Sequence, residues 1–342
     1  MDYQEVLQKL YAPNPHYEGL DLALRMQYYH IASFSLAWHY KGQVFTHVEG
    51  KRRLDGSLVQ PDSLFQAGSI SKPAFTALVM RLHQEGKLDI HHDVNDYLQG
   101  YRVQAPEGEK ITIAMLLSHM AGFNVHGFPG YDPSATVTND DVIMGLGNTP
   151  KPEIDFPPNT CWRYSGGGYQ IAQKAVEDIM GQDTSSLADQ YVFAPLMMQD
   201  SGYWQPLCEA RQAQAAYAMR GGEEGYHFYP ETASAGLWTT PSDLLKLALA
   251  FGRSYKGNGY LNQEVAQMMM QPVWTDRCIG IFHNGTTGEF YHGGSNYGFE
   301  SLMLYHPDHD FALAIMANNN GASALNRQIA NVIIDTLHAY EG

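Results

Sequence analysis

The sequence predicts an α+β fold, in which helices flank an antiparallel sheet that is built from both ends of the chain. Residues 32–48 alternate apolar and polar side chains around a Lys41-Gly42 turn, which is the pattern of a β-hairpin. Near the other end, residues 301–305 and 311–317 predict a second hairpin around a turn at 307–310. Strands at both termini, with helical patterns between them, indicate a single sheet with an inserted helical subdomain.

A long amphipathic helix is predicted shortly after the first hairpin. Apolar residues recur there at helical spacing: Phe75, Leu78, Val79 and Leu82. Gly86 follows as a stop signal, and Pro73 lies early enough for the first turn to tolerate it. Another helix is predicted after the second hairpin, with Ser323 as its N-cap and a buried stripe formed by Ile329, Val332, Ile333 and Leu337.

The middle of the chain has a different character. Helical periodicity occurs at residues 111–120, 169–180 and 185–194, and the loops between these segments are rich in Gly, Pro, Asn and Asp. We therefore predict a helical subdomain at residues 105–220. The α+β domain would then consist of residues 1–104 plus 221–342.

Composition excludes several classes of function for this chain of 342 residues. Its 21 basic and 36 acidic side chains give a formal charge of −15, so a surface that binds nucleic acid or an anionic membrane is not expected. The first residues lack the features of a signal peptide, and no later stretch approaches about 18 consecutive apolar residues. These features favour a cytoplasmic protein; a periplasmic or secreted one would require that a signal had been removed.

Neither a cofactor nor a bound metal is expected. Cys161, Cys208 and Cys278 are far apart and form no C-x-x-C motif, so we predict buried free thiols. The His91-His92 pair lies beside a turn and belongs to no H-E-x-x-H motif, which indicates solvent-exposed histidines.

The strongest chemical signal is Ser69-Ile-Ser-Lys72 at the start of the predicted helix. Residues three apart share one helix face, so the Ser69 hydroxyl and the Lys72 amine can meet. Backbone N–H groups and the positive end of the helix dipole favour a developing anion there. An S-x-x-K of this kind also arises by chance about once in a chain of this length.

Two further segments carry candidate site residues. In Trp162-Arg-Tyr-Ser-Gly-Gly-Gly-Tyr169, a glycine-rich loop runs into a helix and can present Tyr164 in a cleft. In Tyr291-His-Gly-Gly-Ser-Asn-Tyr-Gly298, His292 is followed by two glycines before the last hairpin. A sheet edge with small residues can hold a flat substrate by backbone contacts. Taken singly, Tyr164 also fits a packing role and His292 a structural one.

Together the three segments resemble the penicillin-recognising serine hydrolases. This family includes class C β-lactamases, D-alanyl-D-alanine carboxypeptidases, D-aminopeptidases and the related family VIII esterases. Its signature is S-x-x-K, then Y-x-N, then K-T-G or H-x-G, matched here by Ser69 to Lys72, by Tyr164 at the second motif, and by His292-Gly293-Gly294. The resemblance extends over residues 30 to 340 and implies a β-lactamase/transpeptidase-like fold.

The resemblance also implies a mechanism, in which Ser69 attacks an acyl carbon and forms an acyl-enzyme that water hydrolyses. The oxyanion would lie between the backbone N–H groups of Ser69 and Ser295. The base would be Tyr164, or Lys72 acting with it. One ammonium about 4 Å from a phenol supplies about 4 kcal/mol at an effective dielectric constant of about 20, which would lower the tyrosine pKa from about 10 to about 7. Desolvation acts in the opposite direction.

Two departures from the family pattern bear on the substrate. Gly166 replaces the usual Asn that helps to hold the amide of a substrate's acyl group. His292, mostly neutral near pH 7, replaces a charged Lys that favours a substrate carboxylate. We therefore expect a small-molecule ester, amide or lactam as substrate, and an esterase is favoured over a β-lactamase or a D-peptidase.

Other readings of the sequence are possible. An α/β-hydrolase esterase requires a G-x-S-x-G motif, which the chain lacks. A non-hydrolysing penicillin-binding or sensor-type protein with the same pocket stays open because of Gly166. His119 reads as a structural histidine, whereas Trp238 and Tyr297 fit either the cleft or the core.

Overall fold

The computed structural model describes residues 2–341, with side chains up to residue 337. Its α-helices, in chain order, are α1 (Tyr3–Tyr11), α2 (Leu22–Tyr28), α3 (Ser71–Gln84), α4 (Ile113–Leu117), α5 (Asn139–Ile143), α6 (Gly166–Met180), α7 (Thr184–Ala188), α8 (Glu209–Gln214), α9 (Thr232–Ala235), α10 (Pro241–Tyr255), α11 (Gln263–Met270) and α12 (Ala322–Glu341). Its strands are β1 (Ser33–Tyr40), β2 (Gln43–Gly50), β3 (Phe65–Gln66), β4 (Ala218–Arg220), β5 (Glu223–Gly225), β6 (Trp238–Thr239), β7 (Phe282–His283), β8 (Phe290–Asn296), β9 (Phe299–His306) and β10 (Phe311–Ala317).

The central sheet has the strand order β2-β1-β10-β9-β8-β7, and each neighbouring pair is antiparallel. Both predicted hairpins form, β1–β2 at the N-terminus and β9–β10 near the C-terminus, and β1 pairs with β10 in the middle of the sheet. The prediction of an antiparallel sheet built from both ends of the chain, flanked by helices, is therefore confirmed.

Each face of the sheet is covered by helices. Trp38 and Ile315 belong to the face that packs against α1, α2 and α12, whereas their neighbours Ala37 and Ala314 face the other layer, where α10 lies. This alternation follows from the two-residue period of a strand. Full burial of an aliphatic side chain such as Ile315 stabilises the fold by about 1.5–3 kcal/mol.

The structure corrects several details of the prediction. Helix α12 begins at Ala322, so Ser323 lies inside the first turn and is not the N-cap. The helix expected at residues 111–120 is limited to α4, because Thr112 caps its start and His119, with φ of +63°, follows its end. All three cysteines are free as predicted, but only Cys278 is buried. The apolar cluster around α3 draws residues from both predicted domains, and their boundary at 105–220 stays a prediction.

Candidate active site

Ser69 lies in a short 3-10 turn, Gly68–Ile70, that leads directly into α3. The turn is held by Ser71, whose hydroxyl donates to the Gly68 carbonyl at 2.6 Å and accepts from the Leu237 N–H at 2.9 Å. Ser69 opens into a cavity of about 550 Å³ that also reaches Tyr164 and His292. The structure therefore brings one residue of each of the three motifs into one cavity.

Lys72 lies one helical turn behind Ser69 and is buried. Its Nζ donates to the Ser69 Oγ at 3.2 Å and to the Ser234 backbone carbonyl at 2.9 Å. Burial lowers the pKa of Lys72 to about 7, because the ammonium form loses its hydration. When Lys72 is deprotonated, its amine can still donate to the Ser234 carbonyl and can accept from the Ser69 hydroxyl instead of donating to it, as a general base does.

Tyr164 completes the group of polar side chains around Ser69. Its phenol hydrogen-bonds with the Ser69 side chain, and the Lys72 Nζ lies 4.9 Å from the centre of its ring. Burial raises the Tyr164 pKa above its ordinary value, with the Ser69 hydrogen bond acting more weakly in the opposite direction. The predicted lowering of the phenol pKa is therefore wrong, because desolvation of the buried phenol is the largest influence on it.

The backbone next to Tyr164 is fixed by the segment that contains His119 and Val125. The Ser165 N–H donates to His119 Nδ1 at 3.0 Å, and the Ser165 hydroxyl donates to the Val125 carbonyl at 2.8 Å. The His119 ring also packs on the Tyr164 ring, with 4.3 Å between the centroids. Burial keeps the pKa of His119 well below its usual range, so a neutral imidazole accepts the Ser165 bond. These contacts support the structural role predicted for His119.

The other wall of the cavity is strand β8, which carries His292, Gly293, Gly294 and Ser295. His292 Nδ1 lies 2.6 Å from the Gly293 carbonyl, to which it donates, and the ring stacks on Phe282. Burial, followed by the nearby Lys72, lowers the pKa of His292 to about 3. The imidazole is therefore neutral and offers no positive charge to a substrate carboxylate.

Two glycines allow β8 to approach the Ser69 turn. A Cβ on Gly68, whose φ is +53°, would lie 2.6 Å from the Ser295 backbone N. A Cβ on Gly294 would lie 1.9 Å from the Ala67 carbonyl oxygen. Only residues without side chains permit this contact. It brings the backbone of Ser295, whose hydroxyl donates to Glu300 Oε1 at 3.1 Å, next to the backbone of Ser69.

The profile of the Beta-lactamase family matches residues 22–336 of the chain. The chain belongs to the β-lactamase family. Members of this family are generally serine hydrolases. A relative, penicillin-binding protein 4 of Amycolatopsis lactamdurans, is 31% identical over 192 residues, which are 54% of this chain and 48% of that protein. Flp of Staphylococcus aureus strain N315 is 22% identical over 88% of this chain, which spans 64% of Flp. The chain thus covers from about half to two thirds of these two relatives.

Solved structures show the same fold. The D-amino acid amidase from Ochrobactrum anthropi SV3, solved with L-phenylalanine amide, superimposes with a TM-score of 0.77 at 17% identity, covering 98% of this chain and 99% of the amidase. The octameric penicillin-binding protein homologue from Pyrococcus abyssi gives a TM-score of 0.75 at 19% identity, covering 94% and 74% of the two chains.

This member of the β-lactamase family has a packed aromatic ring beside its second motif. A Cβ on Gly166 would lie 2.5 Å from Phe128 Cε2, so the Phe128 ring occupies the space that a side chain at 166 needs. The Phe128 segment is held there because the Gly166 N–H donates to the His126 carbonyl at 2.9 Å. The presence of Gly166 in place of the family's usual Asn is thus linked to Phe128, a residue that the sequence did not indicate.

Sequence reasoning also missed most of the cavity wall. The wall includes the aromatic side chains of Trp162, Phe282 and Tyr291, and the guanidinium of Arg277 lies 4.7 Å from the Trp162 ring centre. Trp162 could have been predicted from its spacing. It lies two residues before Tyr164, and alternate residues of an extended segment point to the same side. The other three residues reach the cavity only through the tertiary fold, which no local pattern reports.

The remaining candidates lie outside this cavity. Trp238 is buried in the apolar core, and Tyr297 stacks on His227 with 4.0 Å between the ring centres. His91 and His92 are exposed, as predicted. Between residues 2 and 341, no three His, Cys, Asp or Glu side chains are grouped to hold a metal ion. None of the helices in that range combines the length and hydropathy that crossing a bilayer requires.

Proposed function

We propose that this protein is a serine hydrolase that forms an acyl-enzyme on Ser69 and prefers small esters of aryl alcohols. The contact between the Ser69 hydroxyl and the buried Lys72 amine carries the proposal, because it pairs a nucleophile with a base of near-neutral pKa. Neutral Lys72 accepts the Ser69 proton as Oγ attacks the acyl carbon. The oxyanion lies between the N–H groups of Ser69 and Ser295.

Tyr164 takes the role of a neutral proton relay in this scheme. Its phenol hydrogen-bonds with Ser69 and packs beside Lys72, so it can give a proton to the leaving oxygen and receive one from the Lys72 ammonium. The alcohol then departs. Deacylation repeats the same proton transfers, with water as the nucleophile and Ser69 Oγ as the leaving group.

The surroundings of Ser69 support an ester rather than a β-lactam or peptide substrate. Phe128 replaces the polar side chain that would hold an acyl amide, and neutral His292 does not attract a carboxylate. Trp162, Phe282 and Tyr291 provide flat apolar surfaces for an aromatic leaving group.

A substrate panel tests this preference. We expect kcat/KM for p-nitrophenyl acetate to exceed that for nitrocefin and benzylpenicillin by about 5- to 150-fold, since an unpaired buried amide costs about 1–3 kcal/mol. D-Amino-acid amides belong in the same panel, measured by ammonia release. Efficient cephalosporin hydrolysis with negligible esterase activity would overturn the ordering.

The pH dependence tests the identity of the base. Lys72 acts only after it loses its proton, so kcat/KM for the aryl ester is expected to fall tenfold per pH unit below about pH 7 and to level off between about pH 7 and 8. His292 stays neutral throughout this range and adds no second step. A profile that instead rises only above pH 9 would point to a base with the ordinary pKa of a lysine or tyrosine.

Substitution at Gly166 tests the role of Phe128. Gly166→Asn is expected to destabilise the protein by about 1–3 kcal/mol, because its side chain overlaps the Phe128 ring. Combining it with Phe128→Ala should recover part of this loss and increase turnover of amide-bearing β-lactams relative to p-nitrophenyl acetate. Thermal unfolding of both single variants and the double variant measures the coupling. Strictly additive losses would show that the two positions do not compete for space.

A second candidate is a penicillin-binding protein that does not hydrolyse what it binds. Two observations support it: the similarity to penicillin-binding protein 4 of Amycolatopsis lactamdurans, and the presence of Gly166 where the family usually has Asn. A fluorescent penicillin distinguishes the two functions. Permanent stoichiometric labelling of Ser69 without ester turnover indicates the binding protein, whereas ester turnover with weak or absent penicillin labelling indicates the esterase.

A further inference from the structure

Behind Lys72 lies a group of buried polar side chains that the mechanism above does not use. We call it the α6–α9 seam; it consists of Asn139, Gln170, Glu231 and Ser234. Glu231 is 0% exposed, and neither of its carboxylate oxygens has a hydrogen-bond partner among the described protein atoms. The same holds for both ends of the Gln170 amide, for Ser234 Oγ and for Asn139 Oδ1.

These groups share one interface. Helix α6 is joined to the turn at α9 by Gln173, whose Oε1 accepts from the Ala233 N–H at 3.0 Å and whose Nε2 donates to the Pro230 carbonyl at 3.4 Å. Asn139 joins from α5, donating to the Gln170 carbonyl at 3.2 Å. Buried polar groups that lack protein partners are normally bridged by internal water.

The seam is connected to the active site by a single turn of chain. The Ser234 carbonyl that accepts from Lys72 Nζ belongs to the same turn as Glu231, since the Ser234 and Ala235 N–H groups both donate to the Glu231 carbonyl, at 2.9 and 3.0 Å. Glu231 is the N-cap of α9, and Ser234 lies within that helix. A change at Glu231 can therefore be transmitted to the Lys72 amine through the backbone of this turn.

The surroundings of Glu231 do not favour a charged carboxylate. Burial raises its pKa to about 8, and no charged residue contributes to this shift. Helix α7, which also packs on α9, carries no titratable side chain between Thr184 and Ala188. Other titratable groups also face the seam. Lys72 contacts it at the Ser234 carbonyl, and Glu177 contacts it at the Gln173 amide. The phenols of Tyr131 and Tyr229 interact electrostatically with Glu231.

We propose that Glu231 is a positioning residue that acts as an uncharged carboxylic acid, linked through internal water to Gln170 and Ser234 and holding the Ser234 carbonyl against the Lys72 amine. The proposal rests on the function proposed above, in which Lys72 must be neutral to accept the Ser69 proton. Loss of the Glu231 proton would leave an unpaired charge buried at the turn that carries the Ser234 carbonyl, and relief of that charge displaces the carbonyl from the Lys72 amine. Activity is therefore limited at alkaline pH by a residue that touches no substrate.

The pH profiles of Glu231→Gln and Glu231→Ala test this role. In the wild type, kcat/KM for p-nitrophenyl acetate should decline as pH rises through about 8. Glu231→Gln mimics the protonated acid; we expect it to change kcat/KM at pH 7 by no more than about threefold and to lose the alkaline decline. Glu231→Ala should lower kcat by about 10²-fold with KM unchanged, because the amine is misplaced. Glu209→Gln, which alters an exposed acid, is the matched control.

Either of two kinetic results overturns the proposal: an alkaline decline that persists in Glu231→Gln, or a folded Glu231→Gln variant that is inactive at every pH. Infrared difference spectra of wild type minus Glu231→Gln test the charge state without any turnover. A protonated carboxyl band is expected below pH 8, replaced by a carboxylate band above it. A carboxylate band at pH 6 would contradict the proposal even if the protein hydrolyses esters. The expected bands would uphold the uncharged Glu231 even if no ester were hydrolysed.

Discussion

Ser69→Ala is expected to lower kcat/KM for p-nitrophenyl acetate by about 10⁴- to 10⁶-fold while the protein remains folded. The loss is this large because the hydroxyl supplies the attacking atom, and neither Lys72 nor Tyr164 can replace it. The substitution removes a side-chain oxygen that lines the cavity. The hydrogen bond of Ser71 holds the turn without that oxygen, so the fold should persist. Steady-state hydrolysis together with a thermal unfolding curve checks both statements.

Ser134→Ala serves as the matched control, because Ser134 is exposed and does not line the active cavity. It should hydrolyse the ester at the wild-type rate, so that a loss confined to Ser69→Ala is attributable to position 69. Retention of most activity in Ser69→Ala, with the control unchanged, would refute Ser69 as the nucleophile.

Lys72→Met should reduce kcat by about 10²- to 10⁴-fold, the range expected for loss of a general base. Methionine fits the buried site left by the lysine stem but cannot accept a proton. Tyr164→Phe should cost less, about 10- to 10²-fold, because the raised pKa of the phenol suits it to relaying a proton rather than to starting the reaction. Rapid-quench measurement of the acylation step gives both values.

Lys72→Arg separates a base from a fixed positive charge. Arginine keeps the charge but is not deprotonated in proteins, so it should be as inactive as Lys72→Met. Substantial activity in Lys72→Arg, combined with an inactive Tyr164→Phe, would instead indicate a phenolate base supported by a cation. Circular dichroism and unfolding curves of the three variants confirm that each is folded.

Local patterns predicted the parts of the structure that depend on neighbouring residues. The two hairpins could be predicted because apolar and polar residues alternate along their strands. The Ser69–Lys72 contact could be predicted because residues three apart share a helix face. The convergence of Tyr164 and His292 on Ser69 came from the resemblance to a family, since nothing in the spacing of distant segments specifies it. The roles of these residues in catalysis stay predictions.

Properties that arise from burial could not be predicted from the sequence. The direction of the Tyr164 pKa depends on how much water the folded chain excludes, and Coulomb attraction alone gave the wrong sign. The Phe128 ring beside Gly166 and the position of Glu231 behind Lys72 both result from loops whose paths are set by tertiary contacts. A glycine at 166 signals a missing side chain, but not which residue fills the space.

Mass spectrometry of the protein quenched during turnover of p-nitrophenyl acetate tests most directly whether Ser69 carries the reaction. We expect a mass increase of one acetyl group within the first turnover, mapped to the peptide that contains Ser69 and absent from Ser69→Ala. The adduct should build up more slowly below pH 7, as Lys72 becomes protonated. Ester turnover with no adduct at any time, or an adduct on a different residue, would contradict the role of Ser69.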